Sequence, residues 1–600
     1  MCAVRPGVVA RINKELRASN VTFLVGAGIS ADRSSHVPLW RELVETILTG
    51  IAGARAQEEV TYVMEHNKLL FNEVIFKLFS EVFGIDLTID LLSRCFSTTN
   101  WSIIHYQLAN LSADYGAPII TPNFDELIEE AYRASHSEKP LTIIKAHGTL
   151  SDLKNARFTV ENVFEPLKEE LADRVKSAIH ERLLVVMGYR GADNFDLMPL
   201  LADEESPVGE IIWFVRDENN IEVKESEHLR QKQVEFVKGN IDDYLSEICG
   251  ALPVPTVASS ISPHWWKNNI SDFFNHLPQE KRALLPFLWA RILEHVKAYS
   301  LRVDGETSAV IDAYTSYIGQ PLSRDLTYYY ARAHLLYAQR IIGTDVSSEF
   351  AKLALDLRAE IIERPQFRKS LRLHRLLGWI YHQFGVSLQS ERRYYQAKLM
   401  LSRACVVRST VNDPEYAFSL FQLFMNAYQA ERGIGCKIDD LAPTGWRTWM
   451  PPELKIYSDT FYQLHKPDLY STSQHNLGFL YHYLSLETGP QNSGTYELLT
   501  KALESYNEAL NIREHLRDDR LIAQSYVRIA QCHVQLMKVT NDAGEQAKSA
   551  KESDDAIKRA HSIYQRIPQE EFRLNDLEQV QTERKQELNR LTGMKDLGDG

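Results

Sequence analysis

Cysteine is scarce and never closely paired in this 600-residue chain: Cys2, Cys95, Cys249, Cys405, Cys436 and Cys532 are the only six, and no CxxC spacing occurs. Without such pairs neither a zinc knuckle nor a disulfide framework is expected, and no metal; reduced, mostly buried thiols are expected instead. Long hydrophobic runs are missing too. No stretch approaches the ~20 apolar residues of a membrane-spanning helix. Nor does Met1-Cys2-Ala3-Val4-Arg5-Pro6 open a signal-peptide core. The expectation is a soluble, cytoplasmic protein with no membrane partner. Positive charge is the third shortage, since 67 Lys and Arg against 80 Asp and Glu leave a formal net charge of -13. General nucleic-acid binding rests on a basic surplus and is disfavoured. What remains, 44% hydrophobic and 24% charged, is an ordinary globular composition. The length is too great for one core and implies about three to five domains.

Among what is present, Thr22-Phe23-Leu24-Val25 reads as a short buried strand, followed at once by Gly26-Ala27-Gly28 and then Ile29-Ser30. Glycine there lets backbone approach a ligand closely, and a helix opening after such a turn aims N–H groups at a phosphate. A tight turn alone gives the same pattern. A helix is expected over residues 8–20. From 39 to 111 the spacing is helical, as in Leu43-Val44-Ile47-Leu48 and Val74-Ile75-Leu78-Phe79-Val82. Short, mostly continuous apolar runs then return at 118–121, 141–144, 183–187, 211–215 and 234–237, as in a parallel sheet covered on both faces. Strands alternating with helices predict an α/β domain with a Rossmann-like parallel sheet over residues 1–250, carrying a helical insertion at about 40–110. Residues 251–263 hold three prolines and three serines and read as a linker.

Residues 264–600 read as an all-α domain with degenerate repeats. Leu377-Gly378, Tyr381, Ser390, Tyr394 and Ala397 return in outline as Leu477-Gly478, Tyr481, Ala502, Tyr506 and Ala509. A third copy runs Ile529-Ala530, His533, Ala556, Ala560, Ile563 and Pro568. The pattern resembles the tetratricopeptide repeat, in which small residues let paired helices approach; a generic helical bundle is the alternative. Glu570–Arg590 is charge-rich and expected to be a solvated terminal helix.

Three further segments fall at predicted strand ends: Thr121-Pro122-Asn123-Phe124-Asp125, Lys145-Ala146-His147-Gly148-Thr149 and Gly188-Tyr189-Arg190-Gly191-Ala192-Asp193. Ligands of an open parallel sheet bind outside the carboxyl ends of its strands, so these loops and the Gly26 loop are expected to share one cleft. Each has a plainer reading as well. Asn123 and Asp125 suit the N-cap of a helix over Glu126–Arg133, His147 suits a buried imidazole held by backbone, and Gly188 and Gly191 suit turns.

This ordered set resembles the sirtuin family over roughly residues 10–250, through Gly26–Ser30, Val37-Pro38-Leu39-Trp40-Arg41, Thr121–Asp125 and His147-Gly148. It departs where His36 replaces a glycine after a two-residue insertion, where Leu39 replaces an acidic residue, and where Pro122 replaces a glutamine. The four-cysteine zinc module of sirtuin deacylases is absent. The pattern is similar to the sirtuin-like domains of prokaryotic anti-phage defence proteins, which degrade NAD+. The resemblance implies an NAD+ glycohydrolase with NAD+ as substrate. Asn123 would hold the nicotinamide ribose and the attacking water, Asp125 the carboxamide, and His147 would be the general base. Gly26, Ala27, Gly28 and Ser30 would cradle the pyrophosphate and Arg41 face it. Thr121 joins the binding residues, Gly188 and Asp193 would border the adenosine, and Trp213 or Asp217 the adenine ribose. The helical domain is expected to sense a protein or nucleotide trigger, and a homo-oligomer is implied. A protein deacylase, an ADP-ribosyl-transferring enzyme and a non-catalytic nucleotide-binding scaffold are the alternatives.

Overall fold

The computed structural model describes the chain apart from residues 1–3, 32–34, 54–56, 67–70, 136–137, 160–161, 164–165, 192–196, 203–207, 216–231, 251–261, 263, 299–300, 304–306, 321–324, 465, 517, 568–572 and 593–600. Asp193, Asp217, Pro568 and all of the 251–263 stretch except Ser262 therefore lie outside the described residues. The chain divides into two compact units, one comprising Met1–His66 and Leu70–Val296, the other essentially Lys297–Gly600.

In the first unit six strands form one sheet: β1 (Val21–Val25), β2 (Ile119–Thr121), β3 (Ile143–Lys145), β4 (Leu183–Met187), β5 (Ile211–Val215) and β6 (Val234–Lys238). All pair in parallel, in the order β3-β2-β1-β4-β5-β6. Because successive side chains point to opposite faces, β1 divides its own residues between two cores. Val21, Phe23 and Val25 pack on one face with Val8, Ile12 and Leu16 of α1 (Pro6–Arg17), while Leu24 packs on the other with Val175, Ile179, Leu184 and Val186. This is the doubly wound arrangement that continuous apolar strands dictate.

Four helices, α2 (Trp40–Ala52), α3 (Gln57–Glu65), α4 (Phe71–Phe83) and α5 (Ile85–Phe96), form the insertion. The next helix, α6 (Ile103–Tyr115), falls partly inside the predicted insertion, yet Ile104, Leu108 and Leu111 bury it against the sheet. The helices Trp265–Asn275 and Leu285–His295 lie beyond the predicted linker but belong to this unit and pack against α2, α4 and α5. Gly50 makes room for them: a Cβ there would meet the Phe274 ring at 2.4 Å. Asn269 Nδ2 also donates to the Arg94 carbonyl at 2.9 Å. The first unit thus runs past the proline-rich stretch to Val296.

Among the described residues the second unit is helical from Ala309 onward, with a two-residue antiparallel pairing of Arg302–Val303 and Thr307–Ser308 before it. Its helices pair as hairpins, among them Leu371–Ser390 with Tyr394–Thr410, Pro467–Thr488 with Ser493–His515, and Asp519–Val539 with Ala543–Tyr564. Equivalent contacts correct the predicted register of the repeat. A Cβ on Gly385 would meet Ala397 O at 3.3 Å and Leu401 Cγ at 2.6 Å; on Gly478 it would meet Ala502 O at 3.1 Å and Tyr506 Cδ1 at 2.9 Å. Gly385, not Gly378, is the counterpart of Gly478. In this register His382 matches His475, and Arg408 matches Arg513. Arg408 donates to Ser419 Oγ (2.8 Å) and the Glu415 carbonyl (2.8 Å) of the next hairpin, as Arg513 does to Ser525 Oγ (2.7 Å) and the Leu521 carbonyl (3.1 Å). Buried guanidinium groups thus clasp one hairpin to the next.

Candidate functional site

The strand order reverses beside β1, so β1 and β4 flank the switch point where an open α/β sheet leaves a crevice at its carboxyl edge. Two loops meet there. Gly26 N–H donates to Met187 O (3.0 Å) and Gly28 N–H to Gly188 O (2.9 Å). A Cβ on Gly28 would come within 2.8 Å of Gly188 Cα, and one on Gly188, where φ is +63°, within 2.7 Å of Ile29 N. Glycine is therefore required by loop-on-loop contact. This corrects the expected cradle: the Gly26 and Gly28 N–H groups are satisfied by the protein itself, and Ala27, which opens a single 3-10 turn, is the residue whose N–H has no partner among the described residues.

On the other side of β1, the loops after β2 and β3 are stitched together. Thr121 O accepts from Ala146 N–H and Phe124 O from Leu150 N–H, both at 2.8 Å. Glu126 accepts from Thr149 Oγ1 (2.6 Å) and Ser151 N–H (3.2 Å). Burial raises the Glu126 pKa, but these hydrogen bonds win and hold its carboxyl below the ordinary value. Thr121 and Lys145 are register partners, so Asn123 and His147 leave neighbouring strands at the same level. Both are 8% exposed. The His147 carbonyl accepts from Arg157 N–H at 2.8 Å, and Gly148, at φ +94°, turns the chain where a Cβ would strike Ala156 Cα at 2.9 Å.

Asn123 N–H donates to Thr121 Oγ1 (3.1 Å), and its Nδ2 reaches across to Ser30 Oγ at 3.5 Å. That contact joins the loops after β1 and β2. Asp125 is buried, and its Oδ1 accepts from Leu127 N–H (3.3 Å) at the start of α7 (Leu127–Ser135). The capping role read from the sequence is thus present. Its carbonyl is held by Lys145 Nζ, which also lies 3.4 Å from Glu129 Oε1. Burial raises the Glu129 carboxyl above its usual range, against the opposing charge of Lys145.

Arg41 is exposed in the first turn of α2. Trp213 is fully buried on β5, stacked on Tyr189 at 5.9 Å, with its indole N–H committed to the Tyr189 carbonyl at 3.2 Å. It supports the β4 loop from within the core and offers no face to an adenine ribose.

Sequence reading missed His105. It is fully buried in the first turn of α6, with Nε2 3.0 Å from Ser30 Oγ and Nδ1 accepting from Ser102 N–H at 3.0 Å. The available signal was a serine three residues ahead of a helical His, a capping box with imidazole in the usual Glu position. The aromatic ring of Trp40, at the start of the insertion, packs edge-on against Phe124 (6.0 Å) and Phe96 (5.9 Å), so α2 and α5 close over the β2 loop.

No group of three or more His, Cys, Asp or Glu side chains is placed to hold a metal among the described residues, and the described cysteines are free thiols. No described helix is long and apolar enough to cross a membrane. No protein-family model and no curated protein matches the chain. Among solved structures it is similar to a Signal Transduction ATPase with Numerous Domains carrying a tetratricopeptide repeat sensor, from Pyrococcus horikoshii. Identity is 12%, over 94% of this chain and 84% of that one, with a TM-score of 0.25. The architecture stands on the sheet order and helix packing described above.

Proposed function

We propose that the first unit is an NAD+ glycohydrolase releasing nicotinamide and ADP-ribose. One observation carries the reading: residues from separate strand ends, Ser30 and Asn123, come within 3.5 Å beside the switch point, with His147 leaving the next strand at the level of Asn123. The sirtuin resemblance of the same segments supports it. Nicotinamide leaves NAD+ as a neutral base, and the ribose carbon it leaves becomes oxocarbenium-like. Asn123 would hold the ribose hydroxyl and the incoming water. His147 would take the water's proton, since an imidazole titrates near neutrality. Asp125, one oxygen capping α7, would turn the other to the carboxamide. The diphosphate would rest on the Ala27 N–H and the Ser30 hydroxyl, with Arg41 approaching from α2. An unregulated enzyme of this kind would empty its own cell of NAD+. The helical unit is therefore proposed to gate it, responding to a protein or nucleotide trigger in a homo-oligomeric assembly, with anti-phage defence by NAD+ depletion as the outcome.

The test is mass-spectrometric product analysis of NAD+ incubated with the full-length protein over a range of protein concentrations and with lysate from phage-infected cells. Nicotinamide and ADP-ribose in equal amounts are expected. Consumption of NAD+ only in the presence of an acetylated peptide would replace the reading with a deacylase, and NAD+ untouched under every condition would remove it.

A further inference from the structure

The buried polar chain behind the site, Ser102–His105–Ser30–Asn123, has a direction. The Ser102 backbone N–H can only donate, and it points at His105 Nδ1. That nitrogen therefore carries no hydrogen, the ring is the Nε2–H tautomer, and Nε2 donates to Ser30 Oγ, 3.0 Å away. Ser30 Oγ also faces Asn123 Nδ2 at 3.5 Å. With two donors directed at it, the Ser30 hydroxyl keeps its own hydrogen to give, and Asn123, its amide nitrogen turned to Ser30, keeps Oδ1 as an acceptor. Ser30, Ser102 and His105 are fully buried and Asn123 nearly so, so water does not compete for these bonds. His105 lies in the first turn of α6, which is buried against the sheet, and so provides a fixed anchor for the loops after β1 and β2.

We propose that His105 is a positioning residue for the reaction proposed above, acting through Ser30 to fix which face of the Asn123 amide meets the substrate. A water that gives a hydrogen to a carbonyl oxygen is made more nucleophilic and keeps both lone pairs; one that accepts from the amide NH2 has one of its two lone pairs engaged and is the poorer nucleophile. The inference rests on the glycohydrolase reading, which fixes what Asn123 is for.

Two substitutions separate the two nitrogens of the ring. His105→Asn puts an acceptor where Nδ1 was and preserves the cap on Ser102 N–H, but reaches no further. His105→Gln extends a donor to where Nε2 was. In the full-length protein, kcat and KM for NAD+ cleavage, the NAD+ dissociation constant and the melting temperature are measured for both variants, for Ser30→Ala and for Ser30→Ala combined with His105→Asn. His105→Asn is expected to lower kcat by about 10–100-fold, with KM and NAD+ affinity within about twofold of wild type, because misplacing a reacting group costs rate more than binding. His105→Gln is expected to recover kcat to within about threefold. Groups that act as one unit are not additive, so the double variant is expected to lose no more than about twofold beyond Ser30→Ala. Recovery absent in His105→Gln at an unchanged melting temperature, or losses that multiply in the double variant, would overturn the positioning role alone. A wild-type protein that neither binds nor cleaves NAD+ would overturn the glycohydrolase reading and this inference with it.

Discussion

The two units bury polar groups for opposite ends. In the α/β unit, Ser30, His105, Thr121, Asn123, Asp125 and His147 are all buried, come from four separate stretches of chain, and gather at one edge of one sheet. In the helical unit the buried polar groups recur along the chain: Arg408 with Ser419, then Arg513 with Ser525, the same clasp at two junctions. Repetition marks a structural use, because the same junction must be made again at every turn of an array. Convergence at one edge is what the proposed chemistry requires, and it brings an imidazole, an amide and a carboxylate to the ends of neighbouring strands. The same contrast holds for glycine, which brings loop backbone together in the first unit and lets helix side chains nest in the second.

The widest gap between the units is expected in activity. His147→Ala and Asn123→Ala are each expected to lower nicotinamide release by about 10²–10⁴-fold with little change in melting temperature, the loss that removal of a general base or its partner gives. Arg408→Met is expected to destabilise the protein without altering the reaction proposed for the edge of the sheet. Nicotinamide release at a temperature where both variants are folded checks the pair, and equal losses would erase the distinction between convergent and repeated groups.

Glycine gives the next contrast. Gly188→Ala forces a side chain into the left-handed region and against the Ile29 backbone, for an expected loss of about 2–4 kcal/mol. Gly385→Ala meets the Leu401 side chain, which can shift, and gains helix propensity, so a loss below about 1–2 kcal/mol is expected. Denaturant titration of both variants reads the difference.

Within the helical unit the two clasps differ in charge. Arg408 has Asp413 at 3.6 Å and Glu415 at 2.9 Å. Arg513 has Leu521 in the position of Glu415 and no carboxylate within 4.0 Å among the described residues, and burial lowers its pKa to about 10 against the opposing charge of Asp518. Arg408→Met strands a buried Asp413 and is expected to cost about 3–5 kcal/mol. Arg513→Met removes a buried cation that Asp518 offsets only from beyond ion-pair distance, and a change of about 1 kcal/mol or less is expected after the lost hydrogen bonds are counted. Thermal unfolding of the pair tests the assignment of equivalent positions as well as the energetics.

The smallest effect is one of pH. Burial, aided by the charge of Arg528, lowers His482 to about 4 from an ordinary 6.5. The unfolded chain therefore takes up a proton that the folded one refuses. The stability associated with the neutral ring is complete above about pH 6.5 and is lost as pH falls toward 4, with a slope of at most about 1.4 kcal/mol per unit. His482→Leu is expected to flatten that portion of the stability profile, measured by chemical denaturation at successive pH values.

Much of this was legible in the chain itself. All six strands were readable because a parallel sheet covered on both faces needs uninterrupted apolar runs, and the loops carrying Asn123, His147 and Gly188 follow those runs directly. His105 was not legible, because an apolar helix with one histidine looks like any core helix until the fold brings Ser30 to it from 75 residues away. The reach of the first unit to Val296 was hidden for a related reason: helices that pack on the insertion have the same periodicity as helices of an array. The repeat register was misread because leucine–glycine pairs recur at 377 and 477, while the contact that defines the hairpin uses Gly385.

The interlock of the Gly26 and Gly188 loops has a mechanical consequence. Neither loop can open without prying the other from its seat, so the interlock acts as a hinge pin rather than a flap. The opposite flank is held by ring contact alone, where Trp40 leans on Phe124, and under the proposed function that is the side expected to yield first.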